Sequence, residues 1–277
     1  MAAAADEVTG LSIRVEPIER AHAPSPEEFA RRYRRAGRPV ILTGLTEGWL
    51  PSAEWAPRRV AMRYGSARVV AAELENGTLR DDPREGVVFR RVEIRSFVES
   101  MSRPGSAAHY VMAPLSNLPD AIEHDYQVPI YCRGAPHLQA KLWIGKADTV
   151  TPTHRDVPHN LNVHLFGRKR WLLFSPAATS CMYSRGLLSG MPNFSSVDPE
   201  HPDYERYPRF RRVSALGGTV GPGETLVIPH GWWHHTRSLD DAVAINFWWG
   251  GRFVSAAARA SSLFKRMRGI RRDEWGE

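Results

Sequence analysis

Thr151-Pro152-Thr153-His154-Arg155-Asp156, joined through Val157-Pro158-His159 to Asn160-Leu161-Asn162-Val163-His164-Leu165-Phe166, is the stretch from which the architecture is read. In an extended chain, alternate side chains point to opposite faces. Leu161, Val163 and Leu165 then form one apolar face, and Asn160, Asn162 and His164 a polar one. Taken alone, such a strand reads as an edge or surface strand with a solvated face. Its neighbours favour a barrel strand whose polar face lines a hydrated pocket.

Those neighbours are β-rich. Lys141-Leu142-Trp143-Ile144-Gly145, Arg170-Trp171-Leu172-Leu173-Phe174, Thr225-Leu226-Val227-Ile228 and Ala242-Val243-Ala244-Ile245-Asn246-Phe247-Trp248-Trp249 are short strands with Gly/Pro punctuation, the pattern of a sandwich or jelly roll. The preceding half is mixed. Ser25-Pro26-Glu27-Glu28 reads as an N-cap, a proline at the first helical position and acids in the first turn, opening a helix through Phe29 and Tyr33 to about Gly37. Further helices are expected from Trp55 to Tyr64 and over Ile94–Met101, with strands at Arg38-Pro39-Val40-Ile41-Leu42-Thr43-Gly44, Arg68-Val69-Val70-Ala71-Ala72-Glu73 and His109-Tyr110-Val111-Met112. An alanine-rich helix is expected over 254–267. The fold class is therefore mainly β, of α+β type, with a jelly-roll core, N-terminal helices and a C-terminal helix. Residues 1–25 are expected to be a flexible arm, 26–250 one domain with its core at about 109–250, and 251–277 a helix and basic tail.

Composition narrows the class. Hydrophobic content of 42% with 24% charge lies in the globular range, and nine tryptophans demand burial or a binding surface, which excludes a disordered chain. The formal charge of +7 attracts acidic partners, but the excess is spread along the chain. Only Lys265-Arg266-Met267-Arg268-Gly269-Ile270-Arg271-Arg272 is dense, and it reads as a solvated helix end rather than a nucleic-acid site. Cys132 and Cys181 form no CxxC pair, so neither a zinc ribbon nor a disulfide framework is indicated and a reduced, cytoplasmic setting is expected. No apolar run approaches the ~18 residues needed to span a bilayer.

Chemistry enters with His154 and Asp156, which project from one face if the segment is extended and suit adjacent positions on one metal. A lone His-x-Asp is a weak signal. Further histidines arrive in Gly223-Glu224-Thr225-Leu226-Val227-Ile228-Pro229-His230-Gly231-Trp232-Trp233-His234-His235. Two histidines and one carboxylate make the facial triad of non-haem Fe(II) oxygenases, with open positions for a co-substrate and O₂. Zinc hydrolases use similar donors, but usually with two histidines on one helix. His230 and His234 share parity, so strand geometry does not choose between them. Lys169 shares a face with Trp171 and Leu173 and is expected to point inward.

At these residues a resemblance becomes specific. His154-x-Asp156, Asn160 and Gly167-Arg168-Lys169-Arg170-Trp171-Leu172-Leu173-Phe174-Ser175-Pro176 resemble the first half of a JmjC (cupin-like) domain. Gly221-Pro222-Gly223-Glu224 through Ile228-Pro229-x-x-Trp232-Trp233-His234, then Asn246-Phe247-Trp248, resemble the second. The likeness covers roughly residues 26–250 and implies a double-stranded β-helix. Pro202-Asp203-Tyr204-Glu205-Arg206-Tyr207-Pro208-Arg209-Phe210 and Trp232-Trp233-His234-His235 are similar to the branch that holds the asparaginyl hydroxylase inhibiting hypoxia-inducible factor. The resemblance implies iron on His154, Asp156 and His234, the match to Trp-Trp-His selecting His234. It implies Lys169 on the distal carboxylate of 2-oxoglutarate, helped by Thr151 and Tyr110, with Asn160 and Asn246 lining the same pocket.

The implied reaction consumes 2-oxoglutarate and O₂ with Fe(II), releases succinate and CO₂, and hydroxylates an aliphatic C–H of a protein or peptide side chain. Val157-Pro158-His159 replaces a more amide-rich stretch that helps that branch grip its peptide, which leaves the substrate open. The alternatives are a hydroxylase of a small molecule or modified nucleotide, and a non-catalytic JmjC-like binding module. The complete triad and Lys169 weigh against the module. Lysine demethylation is disfavoured because no chromatin-reading module is visible. A homodimer is expected through the C-terminal helix, with Ala256, Ala257, Ala258 and Ala260 allowing close approach and Val254, Leu263, Phe264 and Met267 in contact.

Overall fold

The computed structural model describes residues 11–82, 86–103, 109–186, 189 and 191–256. Eight strands build its core: β1 (His137–Gly145), β2 (Val150–Arg155), β3 (His159–Phe166), β4 (Lys169–Phe174), β5 (Ser214–Val220), β6 (Thr225–Ile228), β7 (Trp233–Ser238) and β8 (Ala242–Gly250). They pair antiparallel in two sheets, β1-β8-β3-β6 and β2-β7-β4-β5. Consecutive strands alternate between the two sheets except at β4 and β5, which share one, and this is the expected jelly roll.

Alternation divides the side chains into three layers. Leu161, Val163, Ile245 and Phe247 of the first sheet pack outward against the helices Pro26–Phe29, Pro57–Tyr64 and Ile94–Met101 and the single turn Ser52–Trp55, which together bury Phe29, Trp55, Tyr64 and Phe97 there. Ser25 caps the first helix by accepting from the Glu28 amide at 3.2 Å, and the chain continues as one wider turn over Ala30–Arg34. Outward residues of the second sheet, Leu172, Phe174, Ala215 and Trp233, are covered by Met182, Val197 and Phe210 of the long β4–β5 connection. Between the sheets the interior is split laterally. Ile18, Ile41, Trp171, Leu173, Val220 and Leu226 fill it on the β5–β6 side. On the side of β2, β7, β3 and β8, polar residues such as Thr151, Asn160, His234 and Asn246 are buried instead.

Three expectations need correction or qualification. The arm over 1–25 is ordered where it is described. Arg14–Pro17 pairs parallel to β5, and Arg20–His22 pairs parallel to Val40–Thr43, which extends the first sheet beside β6. A backbone ladder fixes these residues although few of them are apolar. The sequence reading also passed over β5, whose Gly217-Gly218 pair weakens the strand signal, and β7, whose polar residues mask its alternation. Of the helix over 254–267, residues 252–256 are helical and the remainder lies outside the described residues. Most residues of the expected dimer contact, from Ala257 to Met267, likewise lie outside the described residues. Among the described residues, no helix is long and apolar enough to cross a membrane.

Candidate functional site

β2 and β7 run side by side, and their register sets His154 directly opposite His234. A register shift between Thr151 and His154 interrupts the ladder, the kind of bulge that re-aims side chains beside functional sites. The two imidazole centroids stand 4.1 Å apart. Asp156, one residue past β2, brings Oδ2 to 3.7 Å from His234 Nε2. One ligand atom from each of His154, Asp156 and His234 lies within 4.8 Å of the others. His230 is directed elsewhere: its ring bonds to the Val157 carbonyl, and its amide donates to His159 Nδ1 at 3.1 Å. Register and turn geometry thus separate the two histidines that parity left equivalent.

The surroundings aim the donors. His154 Nδ1 donates to the Pro152 carbonyl at 2.9 Å, and His234 Nδ1 to the Trp232 carbonyl at 3.1 Å. A ring nitrogen bonded to a carbonyl carries the proton, so in each neutral ring Nε2 keeps its lone pair for a metal. Burial, and then the neighbouring His154, push the His234 pKa down to about 4 and keep that ring neutral. Trp248 Nε1 donates to Asp156 Oδ2 at 2.8 Å and fixes the carboxylate. Phe194 stacks on His154 at 4.8 Å with 15° between the planes. Two imidazoles and one carboxylate converging on one face fit Fe(II). The other acid–histidine group among the described residues, Asp198, Glu200 and His201, is of a different kind. Burial would raise the Glu200 pKa, but His235, Arg237 and Arg170 hold it far below the usual carboxylate range. That group is an ion-pair cluster on the outer face.

Lys169 opens β4 and is buried at 2% exposure. Its Nζ donates to Tyr110 Oη at 2.6 Å and lies 4.9 Å from the ring centroid. Gly145 makes room for that ring, since a Cβ there would stand 2.8 Å from it. No carboxylate pairs with Lys169 among the described residues, and burial pulls its pKa down to about 7. Asn246 Nδ2 donates to Asn160 Oδ1 at 3.0 Å, and Asn162 Nδ2 donates to Asn246 Oδ1. Thr151 shares a cross-strand row with Thr236 and Trp171. The described hydrogen bonds do not link Thr151 or the asparagines to Lys169; these groups face the interior from different strands. Thr236 Oγ1, a hydroxyl able to donate, and His164 Nδ1, which carries the ring proton because Nε2 accepts from Trp171 Nε1, are buried without a protein partner among the described residues. Buried polar groups require partners, and a buried cation requires an anion. A small dicarboxylate fits both demands.

Trp248 and Phe194 escaped the site reading, and Asn162 entered it only as one of the polar residues facing the expected pocket. Trp248 shares a strand face with Asn246, and Asn162 with Asn160, so strand parity held a signal for both. Phe194 had none, because it reaches His154 from the β4–β5 connection.

The cupin-like domain family profile matches residues 26–255. "Jumonji C domain-containing protein 5" of Drosophila melanogaster is 30% identical over 242 residues, 84% of this chain and 59% of that protein. "Lysine-specific demethylase 8" of Xenopus tropicalis is 29% identical, over 84% of this chain and 52% of its own length. "Lysine-specific demethylase JMJ30" of Arabidopsis thaliana is 27% identical, over 89% of this chain and 58% of its own. The chain therefore spans somewhat more than half the length of these curated relatives.

Proposed function

The chain belongs to the cupin-like, JmjC-type domain family, and from that membership we propose that it is an Fe(II)- and 2-oxoglutarate-dependent oxygenase acting on a polypeptide. The observation that carries the reading is the convergence of three oriented metal donors in a fold that also buries, on the strand paired with β7, a lysine with no carboxylate partner among the described residues. His154, Asp156 and His234 would hold the iron. Bound there, the metal supplies the redox chemistry by which 2-oxoglutarate and O₂ become succinate and CO₂ while one oxygen atom enters a substrate C–H bond. Lys169 binds the distal carboxylate, its charge restored by the anion, and Tyr110 orients the ammonium. Asn160, Asn246 and Thr151 line the same pocket and meet its remaining polar demands. Trp171, Trp143 and Phe194 narrow the water-accessible space around the reacting centre. Two free cysteines, Cys132 buried and Cys181 half-buried, suit a reducing cytoplasmic setting.

A polypeptide substrate is favoured because two of the reported relatives are named lysine-specific demethylases. The same names support a second reading, oxidative removal of an N-methyl group, which begins with the same oxygen insertion. Free metabolites and modified nucleotides remain the small-molecule alternative. The test is succinate release from the purified protein with Fe(II), 2-oxoglutarate and O₂, with and without a peptide digest. Peptides should stimulate release, and His154→Ala, Asp156→Ala and His234→Ala should abolish it while His230→Ala retains it. A peptide mass gain of one oxygen marks hydroxylation, whereas formaldehyde and loss of a methyl group mark demethylation. Stimulation by free metabolites alone overturns the polypeptide reading, and absence of succinate overturns the oxygenase.

A further inference from the structure

β2 carries His154 along the rim of its sheet. On the side away from β7, the strand Thr78–Leu79 meets it only at Val150. Beyond that point the edge is closed by residues 193–195 of the β4–β5 connection. Arg155 N donates to the Asn193 carbonyl at 3.1 Å, Asn193 Nδ2 donates to the Arg155 carbonyl at 3.0 Å, and Ser195 N donates to the Thr153 carbonyl at 2.8 Å. His154 and Phe194 form an antiparallel bridge between these bonds. The register therefore delivers the phenyl ring to the imidazole, where it stacks at 4.8 Å and 15°. The far side of Phe194 is held as well. It is 7% exposed and clusters with Met191, Leu79, Tyr110 and Trp143.

The two metal-facing histidines differ in what else restrains them. His234 is buried at 2% exposure, inside the barrel. His154 is half-buried, and its described hydrogen bond is the one from Nδ1 to Pro152. One hydrogen bond selects the tautomer but leaves the ring free to tilt about it. A flat partner packed on one face removes that freedom.

We infer that Phe194 is a positioning residue of the metal centre. Its ring sets the plane of His154 so that Nε2 points toward Asp156 and His234, and residues 193–195 of the β4–β5 connection act as a splint on the ligand-bearing strand. The inference rests on the reading of the triad as a metal centre. Outer partners of metal ligands typically change affinity 10–100-fold when lost.

Cobalt(II) is the probe, because its visible absorption reports ligand geometry without turnover. Metal-free wild type, Phe194→Ala, Phe194→Tyr, Phe194→Leu and His154→Ala are titrated with Co(II), with circular dichroism confirming the fold. Phe194→Ala should weaken Co(II) binding by about tenfold or more and shift the visible bands, while Phe194→Tyr should stay within about threefold of wild type with unchanged bands. Unchanged affinity and bands in Phe194→Ala overturn the inference and leave Phe194 as packing. If the alanine variant does not fold, Phe194→Leu, which keeps the bulk and loses the flat ring, is judged by the same criteria. If wild type and His154→Ala bind Co(II) alike, the metal-centre reading itself fails and takes this inference with it.

Discussion

At Lys169, burial lowers the pKa from 10.5 to about 7, so the lysine opposes folding until an anion joins it. The sign follows from proton counting. Between about pH 7 and 10.5 the unfolded chain holds a proton that the folded chain has lost, so stability without co-substrate rises with pH through that window. Lys169→Met, close in volume and uncharged, should raise the melting temperature at pH 6 more than at pH 9, and should weaken 2-oxoglutarate binding about 100-fold or more. Calorimetric titration and thermal melts at both pH values check this; equal co-substrate affinity would remove Lys169 from the pocket. The inward direction of Lys169 was legible, because Trp171 and Leu173 share its parity. So was the pairing of His154 with Asp156, through their spacing of two. The choice of His234 over His230 needed either a family likeness or the β2–β7 register, since both stand on one parity. Phe194 was illegible because its role depends on a contact between distant segments.

Among the elements, the β3–β4 turn bears most directly on the pocket. Gly167 takes φ +68°, and a Cβ there would meet the Asp241 carbonyl oxygen at 2.1 Å. A side chain therefore meets both a strained dihedral and rigid backbone. Gly167→Ala should cost about 2–4 kcal/mol, seen as a lower urea midpoint with an unchanged slope. Because Lys169 begins β4 two residues later, co-substrate affinity should fall as well. A variant as stable as wild type would mean the turn relaxes without difficulty. β3, with its apolar alternation, and β4 and β8, with their near-continuous apolar runs, were readable. β7 was not, because its inward His234, Thr236 and Ser238 serve the site instead of the core, and a functional strand departs from the apolar pattern at such positions. β5 was hidden by its glycines for a different reason: a residue without a side chain carries no periodicity.

For the whole molecule, a site assembled from both sheets should bind its ligands only when folded. Mn(II) with 2-oxoglutarate, at about a hundred times the dissociation constant, should add about 2.7 kcal/mol and raise the melting temperature by roughly 5–10 °C. His234→Ala should erase the gain, and a full shift in that variant would place the ligands elsewhere. The architecture as a whole was legible because a jelly roll announces itself through many short strands, whereas the order in residues 11–25 was not, since backbone pairing leaves little trace in composition. That short stretch occupies both ends of the strand order. Arg14–Pro17 lies against β5, Arg20–His22 lies against Val40–Thr43, and buried Ile18 sits between them. One ribbon thereby covers two edges that would otherwise offer unpaired amides to another chain. Its pairing with β5 joins Arg14 to Ser214, a contact of very high order whose loop-closure entropy makes it slow to form. Until it closes, a refolding molecule leaves the β5 ladder open, so aggregation should compete with folding in proportion to protein concentration during that interval.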